Sequence, residues 1–231
     1  MDAVDEFKRC CITPGNIMEV ASKTEGALAQ KMEELSLIFE AYDAVCANSK
    51  RDPRDQMSWL LSQLEDSDFE APNSLKPIMR GYQKNGFQWL KTLRENGFGG
   101  ILADDMGLGK TLQVISVLAS EYEQASKPSL IVAPSSLVYN WESEIHKFAP
   151  HLKTSIIHGD PTTRKQLIAK SCDYNIIITS YDLIRRDIEH YQEQQFRYCV
   201  LDEAHYIKNH TTLSAKAVKK IKSDIRFALT G

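Results

Sequence analysis

Residues 104–111 read Asp104-Asp105-Met106-Gly107-Leu108-Gly109-Lys110-Thr111, between the apolar run Gly100-Ile101-Leu102-Ala103 and the periodic run Leu112, Val114, Ile115, Val117, Leu118. A short buried strand, a glycine turn and a helix whose first turn carries Lys and Thr predict the geometry that cradles a polyphosphate. Gly107 and Gly109 permit a tight turn, so that free N–H groups at the partly positive helix N-terminus face an anion. Lys110 is then a point charge for the β- and γ-phosphates, and the Thr111 hydroxyl a magnesium ligand. ATP and Mg2+ are the expected ligands of this loop. In the strict form of the pattern a glycine stands where this chain has Asp104, so the general pattern is not met there. A glycine C-cap followed by an amphipathic helix is the other reading of the same string.

A second run, Arg197-Tyr198-Cys199-Val200-Leu201, ends at Asp202, Glu203, Ala204 and His205. In an open α/β sheet, ligands bind outside the carboxyl ends of the strands, so this edge can face the phosphate loop. Asp202 is then the second magnesium ligand, and Glu203 orients and polarises an attacking water. Alone, the acidic tetrad also reads as an N-capped helix start. Paired with the upstream loop, it predicts a hydrolytic site built on Lys110, Asp202 and Glu203.

These residues resemble the superfamily-two helicases and, within them, the SWI/SNF-type ATPases, with similar stretches in family order. Residues 75–90 (LKPIMRGYQKNGFQWL) resemble the Q motif, 101–111 (ILADDMGLGKT) motif I and 130–141 (LIVAPSSLVYNW) motif Ia. Residues 178–183 (ITSYDL) resemble motif Ib, 201–209 (LDEAHYIKN) motif II and 228–231 (ALTG) the opening of motif III. Asp104 is the form motif I takes in this family. The resemblance implies a RecA-like lobe whose nucleotide contacts are Gln83, for the adenine, and Asp104 to Thr111. It further implies nucleic-acid contacts at Ser135, Ser136, Thr179, Ser180 and Tyr181, and a coupling role for His205 and Thr230. Read from the residues alone, Gln83 is a solvated helix glutamine, and Ser135 and Ser136 are helix N-caps.

Composition sets outer bounds. At 42% apolar and 26% charged, 231 residues suit one good core plus a small accessory region. No apolar run approaches a membrane span and the acidic start is unlike a signal peptide, so the expected location is cytoplasmic with no membrane partner. The five cysteines show no paired metal-ligand spacing and read as reduced thiols, with Cys199 in the core. The net charge of −3 divides unevenly: residues 1–74 carry −8 and residues 75–231 carry +5. That places a boundary near residue 72. The basic excess permits nucleic-acid contact without demanding it.

Around these motifs, periodicity predicts amphipathic helices over 22–47 and 52–64, then an acidic linker over 65–74. Pro77 is expected to open a helix with Met79, Tyr82, Gly86, Leu90 and Leu93 on one side. Strands are expected over 129–133, 154–157, 175–179 and 225–229, with helices between them. Lys216, Lys219, Lys220 and Lys222 are expected on one solvent-facing helix, Arg185 and Arg186 on another. His158 reads as structural.

The expected fold class is therefore α/β: a RecA-like P-loop NTPase lobe with a mostly parallel sheet and helices on both faces, preceded by a small helical segment. Residues 1–72 form the acidic accessory segment and linker. Residues 73–231 form the first helicase ATP-binding lobe, stopping inside motif III. The resemblance implies an ATP-driven translocase on duplex DNA, of the bacterial branch, whose second lobe supplies arginines to the transition state. The chain alone is accordingly expected to hydrolyse ATP poorly. Three other readings share features with it: an RNA-directed DEAH-type helicase, a P-loop ATPase of the transporter or switch type, and a non-catalytic binding module.

Overall fold

The computed structural model describes residues 68–230 except Met106, and all of Gln124 but its side chain. The two helices expected over 22–47 and 52–64, and Cys10, Cys11 and Cys46, lie outside the described residues, as do Met106 and Gly231.

Six strands form one sheet: β1 (Gly100–Leu102), β2 (Ser129–Ala133), β3 (Thr154–Ile156), β4 (Ile176–Ser180), β5 (Gln195–Leu201) and β6 (Lys222–Leu229). Their order is β1-β6-β5-β2-β4-β3, and every pairing is parallel. Between them run α1 (Gly81–Glu95, before β1), α2 (Lys110–Ser120), α3 (Val138–Phe148), α4 (Pro161–Ala169), α5 (Tyr181–Tyr191) and α6 (Leu213–Lys219). Parallel neighbours need crossovers, and the crossovers put helices on both faces.

Successive strand residues point to opposite faces, so one strand feeds two cores. In β2, Ile131 and Ala133 join Leu90, Ile115, Leu118, Trp141 and Ile145 under α1, α2 and α3. Leu130 and Val132 face the other way, with Ile168, Ile184, Tyr191 and Val218 of α4, α5 and α6. Central strands covered on both sides read as unbroken apolar runs, and β2 is buried at all five positions. Cys199 lies in the second core, where burial pushes its thiol up to about 11. Among the described residues no helix is long and apolar enough to cross a membrane.

The structure differs from expectation in several places; strand β3 ends one residue early and β4 shifts by a single residue. Helix α1 starts at Gly81 rather than Pro77: Gln83 Oε1 accepts from the Arg80 N–H at 2.9 Å and satisfies the donor that would continue the helix backward. Residues 72–79 instead form successive turns that sink Leu75 and Met79 into the core. The described part of the 65–74 linker is anchored at two points, with Ala71 buried and Gln88 Nε2 donating to the Phe69 carbonyl at 3.2 Å. Lys222 opens β6, paired in register with Gln195, while Lys216, Lys219 and Lys220 are exposed at α6 and its end.

At the end of α2, Glu121 is 3% exposed among Lys91, Arg94, Arg197 and Tyr198. Lys91 Nζ donates to Oε1, while Arg197 Nη2 at 2.5 Å and the Tyr198 hydroxyl at 2.7 Å donate to Oε2. Burial pushes the carboxyl up, but hydrogen bonds from Lys91 and Tyr198 and the Lys91 and Arg197 charges outweigh it, leaving it below the ordinary range. A carboxyl with a lowered folded-state pKa stabilises the fold above its unfolded value and loses that contribution as pH falls through the lowered one. Glu121→Gln leaves Lys91 and Arg197 buried without their counter-charge and is expected to cost about 3–5 kcal/mol in urea unfolding. Between neutral pH and the ordinary carboxylate range the variant and parent should keep that difference; further acidification should narrow it.

Candidate nucleotide and metal site

The loop after β1 carries two residues in the left-handed region, Gly107 at φ 82° and Gly109 at φ 75°. Gly109 is the N-cap of α2, so Lys110 and Thr111 occupy its first turn as the motif requires. Lys110 Nζ donates to the carbonyls of Asp104, at 2.5 Å, and Asp105, at 3.1 Å. Asp104 has a structural use that the strict pattern's glycine lacks: its Oδ2 accepts from Gln113 Nε2 at 3.2 Å, tying the loop to α2. Asp105 is exposed, and Leu108 and Thr111 are half-buried.

Gln83 is 7% exposed rather than solvated. Its Nε2 donates to the Leu108 carbonyl at 3.0 Å while Oε1 holds the Arg80 N–H, so one side chain braces the loop and caps α1. The remaining amide hydrogen and the second oxygen lone pair are what it can offer an adenine edge.

The acidic tetrad arrives from β5. Leu201 pairs with Ala228, and Leu102 with Leu229, so the ends of β1, β6 and β5 stand side by side. Thr230 lies between the two motifs, 9% exposed, its N–H donating to the Leu102 carbonyl at 3.2 Å. Asp202 is held from several directions. Trp141 Nε1 donates to Oδ2 at 2.8 Å, the Glu203 N–H donates to Oδ1 at 3.0 Å, and the Tyr181 hydroxyl donates to the backbone carbonyl at 2.8 Å. Glu203 itself is left-handed, at φ 47°, the one non-glycine with positive φ among the described residues. Such a backbone costs about 1–3 kcal/mol and persists where the surroundings enforce it, most often at functional sites. Glu203 Oε2 lies 3.1 Å from Nδ1 of the exposed His205.

The electrostatics join the two motifs. Burial pulls the Lys110 ammonium below its ordinary value against the opposing pull of Asp104, Glu203, Asp202 and Asp105. Burial pushes Asp202 up, against the Trp141 and Glu203 hydrogen bonds and the Lys110 charge. A partly desolvated cation and a partly desolvated carboxylate at one sheet edge suit an anion on the first and a hard cation on the second. The Thr111 hydroxyl and the Asp202 carboxylate are oxygen groups of the kind that could hold magnesium. Among the described residues no three His, Cys, Asp or Glu side chains form a metal cage, and magnesium held by one or two protein oxygens plus phosphates needs none.

The nucleic-acid candidates divide. Ser135 and Ser136 are exposed in the turn before α3, whose N-cap is Leu137 without a side-chain hydrogen bond, so neither serine caps the helix. Thr179, Ser180 and Tyr181 are 0%, 5% and 4% exposed, contrary to a role at the surface. Thr179 is enclosed within β4, the Ser180 Oγ accepts from the Leu183 N–H, and Tyr181 faces the acidic loop. Two site residues escaped the sequence reading. Trp141 closes the stretch that resembles motif Ia with no role of its own assigned, and Gln113 stands inside an apolar helix run, where it is fully buried.

A parallel sheet with a glycine-Lys-Thr loop after one strand and paired carboxylates after a nearby one defines a P-loop nucleotide-binding lobe of the RecA-like kind. Residues 82–231 match the family model described as the SNF2-related domain, and the chain belongs to that family. Residues 1–74 match a model described as ADDB, N-terminal. The chain is 40% identical over 196 residues to TATA-binding protein-associated factor MOT1 of Saccharomyces cerevisiae, covering 79% of this chain and 10% of that one. It is 45% identical over 155 residues to an uncharacterized ATP-dependent helicase of Mycoplasma genitalium, covering 66% of this chain and 15% of that one. Among solved structures, the Sulfolobus solfataricus SWI2/SNF2 ATPase core in complex with dsDNA matches with a TM-score of 0.61 and 46% identity, covering 66% of this chain and 31% of that one. The chain thus spans a small part of these relatives.

A Cβ on Gly109 would lie 2.4 Å from Gln83 Nε2, on a backbone that L-residues rarely adopt. Gly109→Ala is expected to weaken ATP binding at least tenfold and to lower the unfolding midpoint. Isothermal titration with Mg·ATP and a thermal melt check the two effects separately.

Proposed function

We propose that this lobe binds Mg·ATP and belongs to a motor that hydrolyses ATP to move on duplex DNA. The observation that carries the reading is the convergence of the Lys110 loop and the Asp202-Glu203 pair at one edge of the sheet, with mutual electrostatic effect. Lys110, now on the loop carbonyls, is the charge for the β- and γ-phosphates, and the helix N-terminus behind Gly109 adds to it. Thr111 and Asp202 would hold magnesium, which when bound neutralises developing phosphate charge. Glu203 orients and polarises the attacking water, and its enforced backbone supports that role. His205, against Glu203, and Thr230, between the motifs, are placed to register the state of the nucleotide. Gln83 reads the adenine, and its hold on Leu108 links that recognition to the phosphate loop.

On this reading a second RecA-like lobe supplies the arginines that stabilise the transition state, a contribution of about three to five powers of ten in rate. DNA meets this lobe at the exposed turn of Ser135 and Ser136, where hydroxyls and backbone N–H groups suit phosphate oxygens. Duplex DNA is favoured over RNA because the Sulfolobus relative was solved with dsDNA. A motor on DNA works in the compartment that holds the DNA, which for the bacterial reading is the cytoplasm.

Lys110→Ala is expected to reduce ATP affinity at least a hundredfold in a direct binding titration, whereas Glu203→Gln should bind Mg·ATP with wild-type affinity. Equal ATP affinity in the Lys110→Ala variant would overturn the phosphate assignment. Without a second lobe, turnover by this chain should stay below about one per second in a phosphate-release assay. In a preparation that includes the second lobe, duplex DNA should stimulate hydrolysis more than RNA, and Glu203→Gln should abolish it.

A further inference from the structure

Two hydrogen bonds outside the nucleotide motifs end on one residue of the acidic loop. Trp141, on α3, is 2% exposed, and its indole N–H donates to Asp202 Oδ2 at 2.8 Å. Tyr181, the first residue of α5, donates its hydroxyl to the Asp202 carbonyl at 2.8 Å. Its ring stacks on Tyr206, with centroids 5.4 Å apart and planes 3° from parallel. Tyr206 lies beyond Glu203 in the same loop, so Tyr181 holds that loop at two points.

The anchoring ends of these side chains matter as much as their tips. Helix α3 follows directly on the exposed Ser135-Ser136 turn, and α5 follows directly on Ser180. Helix α5 is fixed independently. Buried Arg164 of α4 makes two hydrogen bonds to Asp187, at 2.6 and 2.8 Å, and donates to the Gly159 carbonyl at 2.8 Å. The stretches that resemble motifs Ia and Ib therefore each send one buried donor to Asp202, one to the carboxylate and one to the main chain.

A carboxylate that ligates a cation through one oxygen needs the other oxygen held, because rotation about its bond to Cβ exchanges the two. In this loop Glu203 N–H binds Oδ1 and Trp141 binds Oδ2, which fixes that rotation. The Tyr181 bond fixes the translation of the same residue. An apolar residue in either place would keep the core packed and leave the carboxylate free to turn or the loop free to slide.

We infer that Trp141 and Tyr181 are positioning residues that set the Asp202 carboxylate for its cation, one through the carboxylate and one through the main chain. The inference rests on the assignment of Asp202 as a magnesium ligand. It makes both side chains matter for Mg·ATP while leaving metal-free ATP, held by Lys110 and the loop, unaffected.

The test measures binding of a methylanthraniloyl-labelled ATP to the whole chain, in magnesium and in EDTA, for wild type, Tyr181→Phe and Trp141→Phe. Tyr181→Phe keeps the ring on Tyr206 and removes only the hydroxyl. Each variant should lose about two- to tenfold of Mg·ATP affinity, the worth of one hydrogen bond, with EDTA affinity unchanged. The protein has three tryptophans, so comparison with Trp141→Phe identifies the Trp141 indole N–H in a 1H–15N spectrum. That resonance should shift with Mg·ATP and not with ATP in EDTA. A wild type that gains nothing from magnesium would defeat the metal-site reading, and the inference with it. A wild type that gains affinity while both variants keep the gain would defeat the inference alone. Equal losses with and without magnesium, or a Trp141 resonance unmoved by bound Mg·ATP, would reduce these residues to packing and also overturn it.

Discussion

The parallel register of β1, β6 and β5 is the constraint on which the site depends. The Lys110 loop and the acidic pair are distant in the chain, and neither makes a nucleotide site alone. Pairing Leu102 with Leu229 and Leu201 with Ala228 brings their loops to one edge with Thr230 between them. Because strand side chains alternate, a slip of one residue would exchange core-facing and opposite-facing positions along the strand. The two apolar cores that make such a slip costly are thus also what holds the chemistry in alignment.

The two edges of the sheet handle charge differently. At the edge where β5 begins, Glu121 is surrounded by Lys91, Arg94, Arg197 and Tyr198, and the cluster is complete within the chain. At the other edge, burial shifts Lys110 and Asp202 each toward the neutral form, despite their mutual attraction. Buried charge is stable when its partners are present and costly when they are not. The first edge is built to stay as it is, and the second, on the proposed reading, to gain stability when polyphosphate and dication arrive together. Binding at the second edge can then draw on electrostatic relief and not only on new contacts.

Much of this was legible in the chain because the relevant signals are local. Glycines before Lys-Thr, the β-branched strand expected over 175–179 and Pro161 at a helix start each depend on near neighbours, and each appears where periodicity and turn chemistry place it, the strand shifted by one residue to 176–180. Several misread residues depended on distant partners. Gln83 looks like a surface glutamine until Leu108 is brought against it, and the motif gives no sign that Asp104 holds Gln113. Tyr181 carries a hydroxyl that suits a surface, yet the distant Asp202 carbonyl claims it from within, while Ser180 is taken locally as the N-cap of α5. The helix expected at Pro77 starts instead at Gly81 through a local bond, because Gln83 caps Arg80 with the same side chain that braces the phosphate loop.

That double use of Gln83 has a consequence for how the lobe senses its ligand. Its Oε1 fixes the start of α1 and its Nε2 fixes the Leu108 carbonyl, so the amide cannot turn toward an incoming base without loosening one of them. A base that used only the spare hydrogen and lone pair would leave the brace intact and the loop rigid. One that displaced the Leu108 contact would free the loop backbone beside Gly109, where a left-handed N-cap already limits the conformations open to it. If Gln83 reads the base as proposed, recognition of the base and shaping of the phosphate loop pass through one amide group. Asp202 plays the matching part across the sheet edge, where the carboxylate, the backbone carbonyl and the strained Glu203 that follows are each held by a different element. Both halves of the site are thus tied to structure outside their own motifs, through which events elsewhere in the lobe can reach the nucleotide.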